Sequence, residues 1–391
     1  MALDGTTATQ GWLTADGSQV GTKLFAVLWW LCLAGPSVYV VQRFFGWGAV
    51  VAHLVLAAVL LRPVLALPKW LTDRQVRAAL LAALALAVVV FAVAYPKVNV
   101  HEPGAGSDND DTCDIGARAL LHGESPYAHV TYLGNPLSLM PGSFVIAAPF
   151  TMAGASAIQN VFFFALFALA VRAETRDERR ALAVTLAVLA FSLSTWHSLV
   201  TGSDHMANPL YVLLGLWWLV RTERRDLAAV AWGITLASRA NFLFLIPLAW
   251  GWLAARSSRT AATRTMLIAL ATFTAITLPF YLHAPDQFGP RIGAVQLGRL
   301  NALLPHADLI IMAAVGAASV VLARRIRTVS SLFGRCAIVQ GIAPIGGLAI
   351  STAAGAPYLP YFAYAEMAAW FGLFALAIAS APGDEPRRSG L

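Results

Sequence analysis

Carboxylates are scarce in this chain, 20 Asp and Glu among 391 residues, and six of them (Glu102, Asp108, Asp110, Asp111, Asp114 and Glu124) fall between His101 and Pro141. A carboxylate within hydrogen-bonding reach of a hydroxyl removes its proton as a general base when its pKa suits the working pH. Grouped carboxylate oxygens also suit a hard divalent cation, magnesium or calcium, so a metal is left open beside the general-base role. Each single acid has a plainer reading as well. From Asp111 onward Ile115, Ala119 and Leu120 share a helical face, and Asp110 or Asp111 stands where a carboxylate caps free backbone N–H groups. Four aspartates within seven residues still make Asp110, Asp111 and Asp114 the candidates for a catalytic base.

Further polar groups lie in otherwise apolar sequence. Asp204 and His205 sit in TGSDHMAN, with His197 one or two turns earlier, and Arg239 stands in SRAN, residues 238 to 241. An ionisable group deep in an apolar segment is expensive, and a site or pathway is its default explanation. A guanidinium offers a fork of donors to phosphate oxygens; an internal pair of Arg239 with Asp204 or another acid is the alternative. Arg291 and Arg299, with His283 and His306, occupy a later polar loop, where they suit an anion or lipid headgroups equally.

The elements that must position these groups are membrane helices. The chain is 58% hydrophobic and 12% charged with mean hydropathy +0.67, about half the charge of a soluble domain. A net charge of +7 would point to nucleic acid if the basic residues shared one soluble face, but they are dealt out in short groups between apolar runs and read as topology signals, with no nucleic-acid partner. Cys32, Cys113 and Cys336 show no CxxC spacing, so neither a zinc site nor a disulfide framework is expected. No basic residue precedes Lys23, so the start lacks the n-region of a cleaved signal.

Crossing the hydrocarbon core takes about 20 apolar residues. Runs at 24–42, 47–67, 76–95, 159–171, 181–198, 209–220, 265–283, 307–323, 330–353 and 361–381 qualify or nearly so, and SFVIAAPFTMAG reads as a shallow helix. Residues 226–255 have basic groups at both ends and SRAN in the middle; arms of about 14 residues reach only about 20 Å, so this hairpin turns within the membrane. The expectation is an all-α polytopic protein of about twelve crossings, one transmembrane domain over 1–391. With Lys and Arg marking the inside, 1–22 and 382–391 are cytoplasmic tails, 96–141 is an external catalytic loop with short helices, and 284–306 is a second external loop. The expected location is the cytoplasmic membrane, with the active site outside. Glu366 and Gln340, mid-span, read as interhelical hydrogen-bonding groups, and Trp29, Trp30, Trp47, Tyr358 and Tyr361 as interface anchors.

An external acidic cluster followed by ARALLHGESPY and a GNP turn into a short apolar helix resembles the GT-C glycosyltransferases that use polyprenyl-phosphate sugars. It looks closest to the family-87 mannosyltransferase-like membrane proteins. There an aspartate precedes A-x-A-L-L-x-G-x-x-P-Y by about seven residues; here Asp110 precedes Ala117 by seven, and Gly123, Pro126 and Tyr127 complete the pattern. The family's aromatic four residues after the aspartate is Asp114 here, so Asp110, Asp111 and Asp114 compete for the role of base. The resemblance covers about 30 residues. It implies inverting transfer of mannose or a pentose such as arabinose from a polyprenyl-phosphate donor to a lipid or glycan hydroxyl. Arg239, Arg291 and Arg299 would then hold the donor phosphate, while Asp204, His205, Tyr127 and Asn241 would contact acceptor or sugar.

Two other classes remain. A transporter or flippase for a lipid-linked or anionic solute would line a pathway with the same ionisable groups, but near the midplane and open to both faces. A ligase moving a whole glycan from a lipid diphosphate would need more external cations than this chain offers.

Overall fold

The computed structural model describes residues 19–101, 108–291, 297–324 and 326–379. Residues 1–18 and the expected tail 382–391 lie outside the described residues, as do 102–107 of the first polar loop and 292–296 of the second. The described chain is helical, with a single β-bridge between Val130 and Pro136.

In chain order the helices are α1 (Gln19–Ala34), α2 (Ser37–Leu65), α3 (Asp73–Val98), α4 (Asn109–Leu121), α5 (Pro141–Met152) and α6 (Ile158–Thr175). There follow α7 (Glu178–Phe191), α8 (Leu193–Thr201), α9 (Asp204–Arg221), α10 (Arg225–Leu236), α11 (Ile246–Ala254) and α12 (Arg259–His283). The last four are α13 (Ala307–Leu322), α14 (Val329–Ala353), α15 (Pro360–Tyr364) and α16 (Glu366–Ile378). Among the described residues six segments are long and apolar enough to cross a membrane: α2, α3, α6, α12, α14 and the α15–α16 run. The bent pair α7–α8 would add a seventh, so this is a helical membrane protein in which fewer than the expected twelve runs meet the length and hydropathy of a span. The outer face of α2 shows why: Val51, Val55 and Val59 are 61%, 57% and 64% exposed, apolar side chains that only lipid would cover.

Several expected spans break where the local chemistry demands. The run 24–42 ends as a helix at Ala34, because Gly35 and Pro36 intervene and Pro36 has no amide hydrogen to give the helix. Inside α2, Gly46 takes φ 79, a left-handed value that suits glycine, and the expected second span starts beyond this kink. The run 181–198 is two helices meeting at 79° across Ser192, whose hydroxyl accepts from the Thr195 amide and starts α8. Trp29 is fully buried in the core, 6.4 Å from Phe25, and is a packing residue, whereas Trp47 is exposed as an anchor would be.

Arginine contacts gather the basic turns into one end of the molecule. Arg77 and Arg172 both pair with Glu178 (3.1 and 2.6 Å), Arg179 donates to the Pro68 carbonyl (3.3 Å), and Arg221 donates to Glu174 (2.8 Å). Arg264 pairs with Asp226, Arg256 donates to the Arg327 carbonyl, and Arg180 donates to the Ala379 carbonyl. Helices leaving this end begin with firm caps: Thr72 and Gln75 form a capping box on α3, Asp177 accepts from two amides of α7, and Thr328 with Ser331 caps α14. Between Arg225 and Ala254 the chain forms the hairpin implied by its two basic ends. Helix α10 rises, a turn at Ala237–Arg239 and a 3-10 segment (Ala240–Leu245) reverse it, and α11 returns.

Candidate functional site

The opposite end is built around α4. It is held to α5 by Gly116, where a Cβ would run into the Phe144 ring. The N-terminus of α5 in turn meets the α10 turn, with Gly142 N donating to the Ala237 carbonyl (2.7 Å) and Met140 N to the Ser238 carbonyl (3.2 Å). A Cβ at Gly142 would fall 2.5 Å from the Ala237 carbonyl carbon, so only glycine allows this approach.

The aspartates of α4 are sorted by their partners. Asp108 stands at the N-cap position of α4 but makes no side-chain cap hydrogen bond. Asp108 accepts from Thr131 Oγ1 (2.9 Å) and Asn135 Nδ2 (2.8 Å), fastening the loop beyond α4. Asp114 accepts from Thr151 Oγ1 (2.7 Å) and the Ser156 amide (2.9 Å), tying α4 to the α5–α6 connection. Asp111 Oδ1 meets His101 Nε2 at 3.0 Å, its Oδ2 is buried with no hydrogen-bond partner among the described residues, and the His101 ring lies 5.0 Å from Tyr132.

Asp110 differs. It is 1% exposed, its Oδ2 accepts from the Tyr95 hydroxyl at 2.6 Å, and its Oδ1 is buried with no hydrogen-bond partner among the described residues. Burial pushes its carboxyl up to about 6, against the opposing Tyr95 hydrogen bond and with some help from the Asp111 charge. Burial also raises Asp111, with His101 pulling the other way.

Gly202 connects Asp110 to the second polar group. A Cβ there would lie 2.8 Å from both Asp110 Cβ and the Tyr95 ring, and its φ of +70 is left-handed. Two residues on, Asp204 opens α9, and Arg239 Nη2 donates to its Oδ2 at 2.6 Å. The side chains are 5% and 22% exposed, so this is a nearly buried ion pair, the alternative that the sequence held open for Arg239. Arg239 Nε remains buried with no partner among the described residues. From the pair a chain of hydrogen bonds runs inward: Asn208 Nδ2 donates to Asp204 (3.0 Å), Ser238 Oγ to Asn208 Oδ1 (2.9 Å), and Ser143 Oγ lies 3.3 Å from the Tyr211 hydroxyl. The Cys113 thiol, raised by burial, feels Asp204 next and then Asp114, while Arg239 opposes them, which puts α4 beside the ion pair.

No family model, curated protein or solved structure matches this chain. The resemblance to GT-C enzymes rests on the quoted residues alone.

The other sequence candidates divide. His205 joins the ion pair's surroundings, its ring 5.3 Å from Tyr364, while His197 packs 6.1 Å from Phe44. Asn241 donates to Gln340 Oε1 (2.6 Å) and its carbonyl accepts in return (3.1 Å), so its amide braces α14. Tyr127 is buried, its hydroxyl donating to the Leu139 carbonyl (2.9 Å) and its ring 5.0 Å from Phe288, which makes it a rivet between the two polar loops rather than a free contact. Arg291 is exposed and faces Asp286 at 3.6 Å, and Arg299 is exposed on a 3-10 turn (Arg299–Ala302). Neither arginine is brought to Arg239 by any contact among the described residues. No group of three His, Cys, Asp or Glu suited to a metal occurs among them either.

Two contributors, Tyr95 and Asn208, were not among the sequence candidates. Tyr95 closes a span that leads into the acidic loop, and Asn208 stands one helical turn after Asp204; both positions were readable signals. Glu366, expected mid-span, is the first residue of α16. It accepts from Ser198 Oγ at 3.3 Å, and its Oε1 is buried without a partner among the described residues.

Proposed function

We propose that the chain is a membrane glycosyltransferase of GT-C type, moving one sugar, mannose or a pentose such as arabinose, from a polyprenyl-phosphate donor to a lipid or glycan hydroxyl. The observation that carries this reading is the division among the aspartates: Asp108 and Asp114 are engaged by neighbouring donors, Asp110 and Asp111 each keep one buried oxygen open among the described residues, and of these two Asp111 is paired with His101, which leaves the more deeply buried Asp110 with its open oxygen. In the proposed reaction that oxygen takes the acceptor's hydroxyl proton. The acceptor oxygen bonds to the anomeric carbon from the face opposite the phosphate, and the bond from that carbon to the phosphate oxygen breaks, giving inversion. Arg239, with an unused Nε–H, would receive the developing phosphate charge, and Asp204 would fix the guanidinium plane.

The arrangement of charge supports transfer over transport. Asp110, Asp204 and Glu366 stand at or near the N-termini of α4, α9 and α16, and α9 and α16 end at the arginine-rich turns. The acids therefore gather at one end instead of lining a route between both. By the positive-inside rule that end would be the outer one, in the cytoplasmic membrane. Arg291 and Arg299 enter the proposal only if the donor draws the second polar loop inward, and a divalent cation is not required by it.

The test is sugar transfer by purified protein from a radiolabelled polyprenyl-phosphate sugar to membrane glycolipid acceptors, comparing wild type with Asp110→Asn and Asp111→Asn. Loss of transfer in the first and retention in the second is expected. Full activity in the Asp110→Asn/Asp111→Asn double variant would overturn the assignment of the base.

A further inference from the structure

At the arginine-rich end, away from the acids, α11, α12 and the end of α13 enclose a groove of about 690 Å³. Its walls are apolar: Ile246, Trp250, Met266, Leu267, Leu270 and Val320. Its mouth carries Arg259 and Arg324. Both are exposed, and neither has an ion pair or hydrogen bond with a neighbouring side chain among the described residues, whereas Arg77, Arg172, Arg221 and Arg264 at this end are paired with carboxylates. The first amides of α12 also open here. Ser258 caps only the Ala261 amide, so the positive end of a 25-residue helix adds to the two guanidinium charges. At one wall of the groove α11 meets the α13 end closely through Gly251, where any Cβ would run into the Ala323 carbonyl.

An apolar trough in a membrane helix bundle, ending in unpaired cations at the level of the polar headgroups, matches a lipid with an acyl chain and a negative head. We infer that the groove seats an anionic phospholipid of the adjacent leaflet, one acyl chain along α11 and α12 and its phosphate between Arg259 and Arg324. The donor lipid of the proposed reaction is not the occupant, since its phosphate would have to reach Arg239 at the opposite end. The inference therefore stands apart from the proposed catalysis. The seated lipid would bridge α11, α12 and α13 beside the Gly251 contact and the Trp250–Thr263 hydrogen bond (3.0 Å).

Native mass spectrometry of the full chain, released from detergent with added phosphatidylglycerol or phosphatidylcholine, tests this without any activity measurement. Phosphatidylglycerol is expected to bind at least about tenfold more tightly, in keeping with two basic contacts near the surface. Arg259→Gln/Arg324→Gln should abolish that preference, and Leu267→Trp, which fills the trough, should weaken both lipids. Lys69→Gln/Arg74→Gln, which removes two charges of the same end outside the groove, should retain it. Equal binding of both lipids by wild type would overturn the inference. So would a preference that survives the groove variants, or one lost equally in the Lys69/Arg74 control, each variant having first been matched to wild type in thermal unfolding.

Discussion

Asp110 is the residue on which chemistry and stability pull in opposite directions. Its carboxyl is raised from 3.8 to about 6, so the folded chain holds the proton more tightly than the unfolded chain does. The stability this provides is complete below about pH 4 and is lost as pH rises through about 6. Asp110→Asn carries no charge to bury, and it should melt higher than wild type at about pH 7.5 while matching it near pH 4, read by thermal unfolding in detergent. A base works only when deprotonated, so transfer by the wild type should climb with pH through about 6, and Asp110→Asn should lose about 10²- to 10⁴-fold. Tyr95 donates to the charged form, so Tyr95→Phe removes a contact that lowers the pKa and should move the acidic limb upward. A limb that stays in place would mean that Asp110 does not set it. The ion pair gives a second prediction. Asp204→Asn or Arg239→Gln each leaves a nearly buried partner uncompensated and should destabilise by about 3–5 kcal/mol. The double variant should recover much of that stability and none of the activity, as a double-mutant cycle of melting and transfer would show.

At the scale of elements, the joints at the acidic end depend on glycine. Gly202→Ala would press a Cβ into Asp110 and Tyr95 at a left-handed φ, and Gly142→Ala would part α5 from α10. Each is expected to destabilise by about 1–3 kcal/mol, measured by thermal unfolding, and Gly202→Ala should also lower transfer because it displaces the base. Much of this layer was legible in the sequence. Long apolar runs announced α2, α3, α12 and α14, and basic residues on both sides of SRAN announced the hairpin. The break at Ser192 was not legible, because a serine inside an apolar run looks the same whether it points outward or starts a new helix. The sorting of the aspartates was equally hidden, for their partners Tyr95, Thr131, Thr151 and Ser156 lie up to 42 residues away in sequence, and only tertiary packing chooses among four adjacent acids. Tyr127 carries a packing contact that its motif did not announce, its ring and hydroxyl joining two loops.

For the whole molecule, the separation of charge makes the direction of insertion testable. The turns carrying Arg77, Arg172, Arg179, Arg221, Arg256 and Arg264 are tied into one end, while Asp110, Asp204 and Glu366 occupy the other, so the two ends must meet different compartments if the chain spans the membrane as its six long apolar helices indicate. Lysine and arginine are retained on the cytoplasmic side during insertion, which predicts that the acidic end faces out. The native thiols of Cys113 and Cys336 are buried and Cys32 is partly so, leaving room for introduced reporters on a chain in which these three are changed to serine or alanine. Glu124→Cys, exposed beyond α4, should react with a membrane-impermeant maleimide in intact cells, and Lys69→Cys should react only after the membrane is opened. The opposite pattern would move the proposed site to the cytoplasmic face. There a polyprenyl-phosphate sugar with its head outside would be out of reach of Asp110, and the donor would have to be a soluble activated sugar instead.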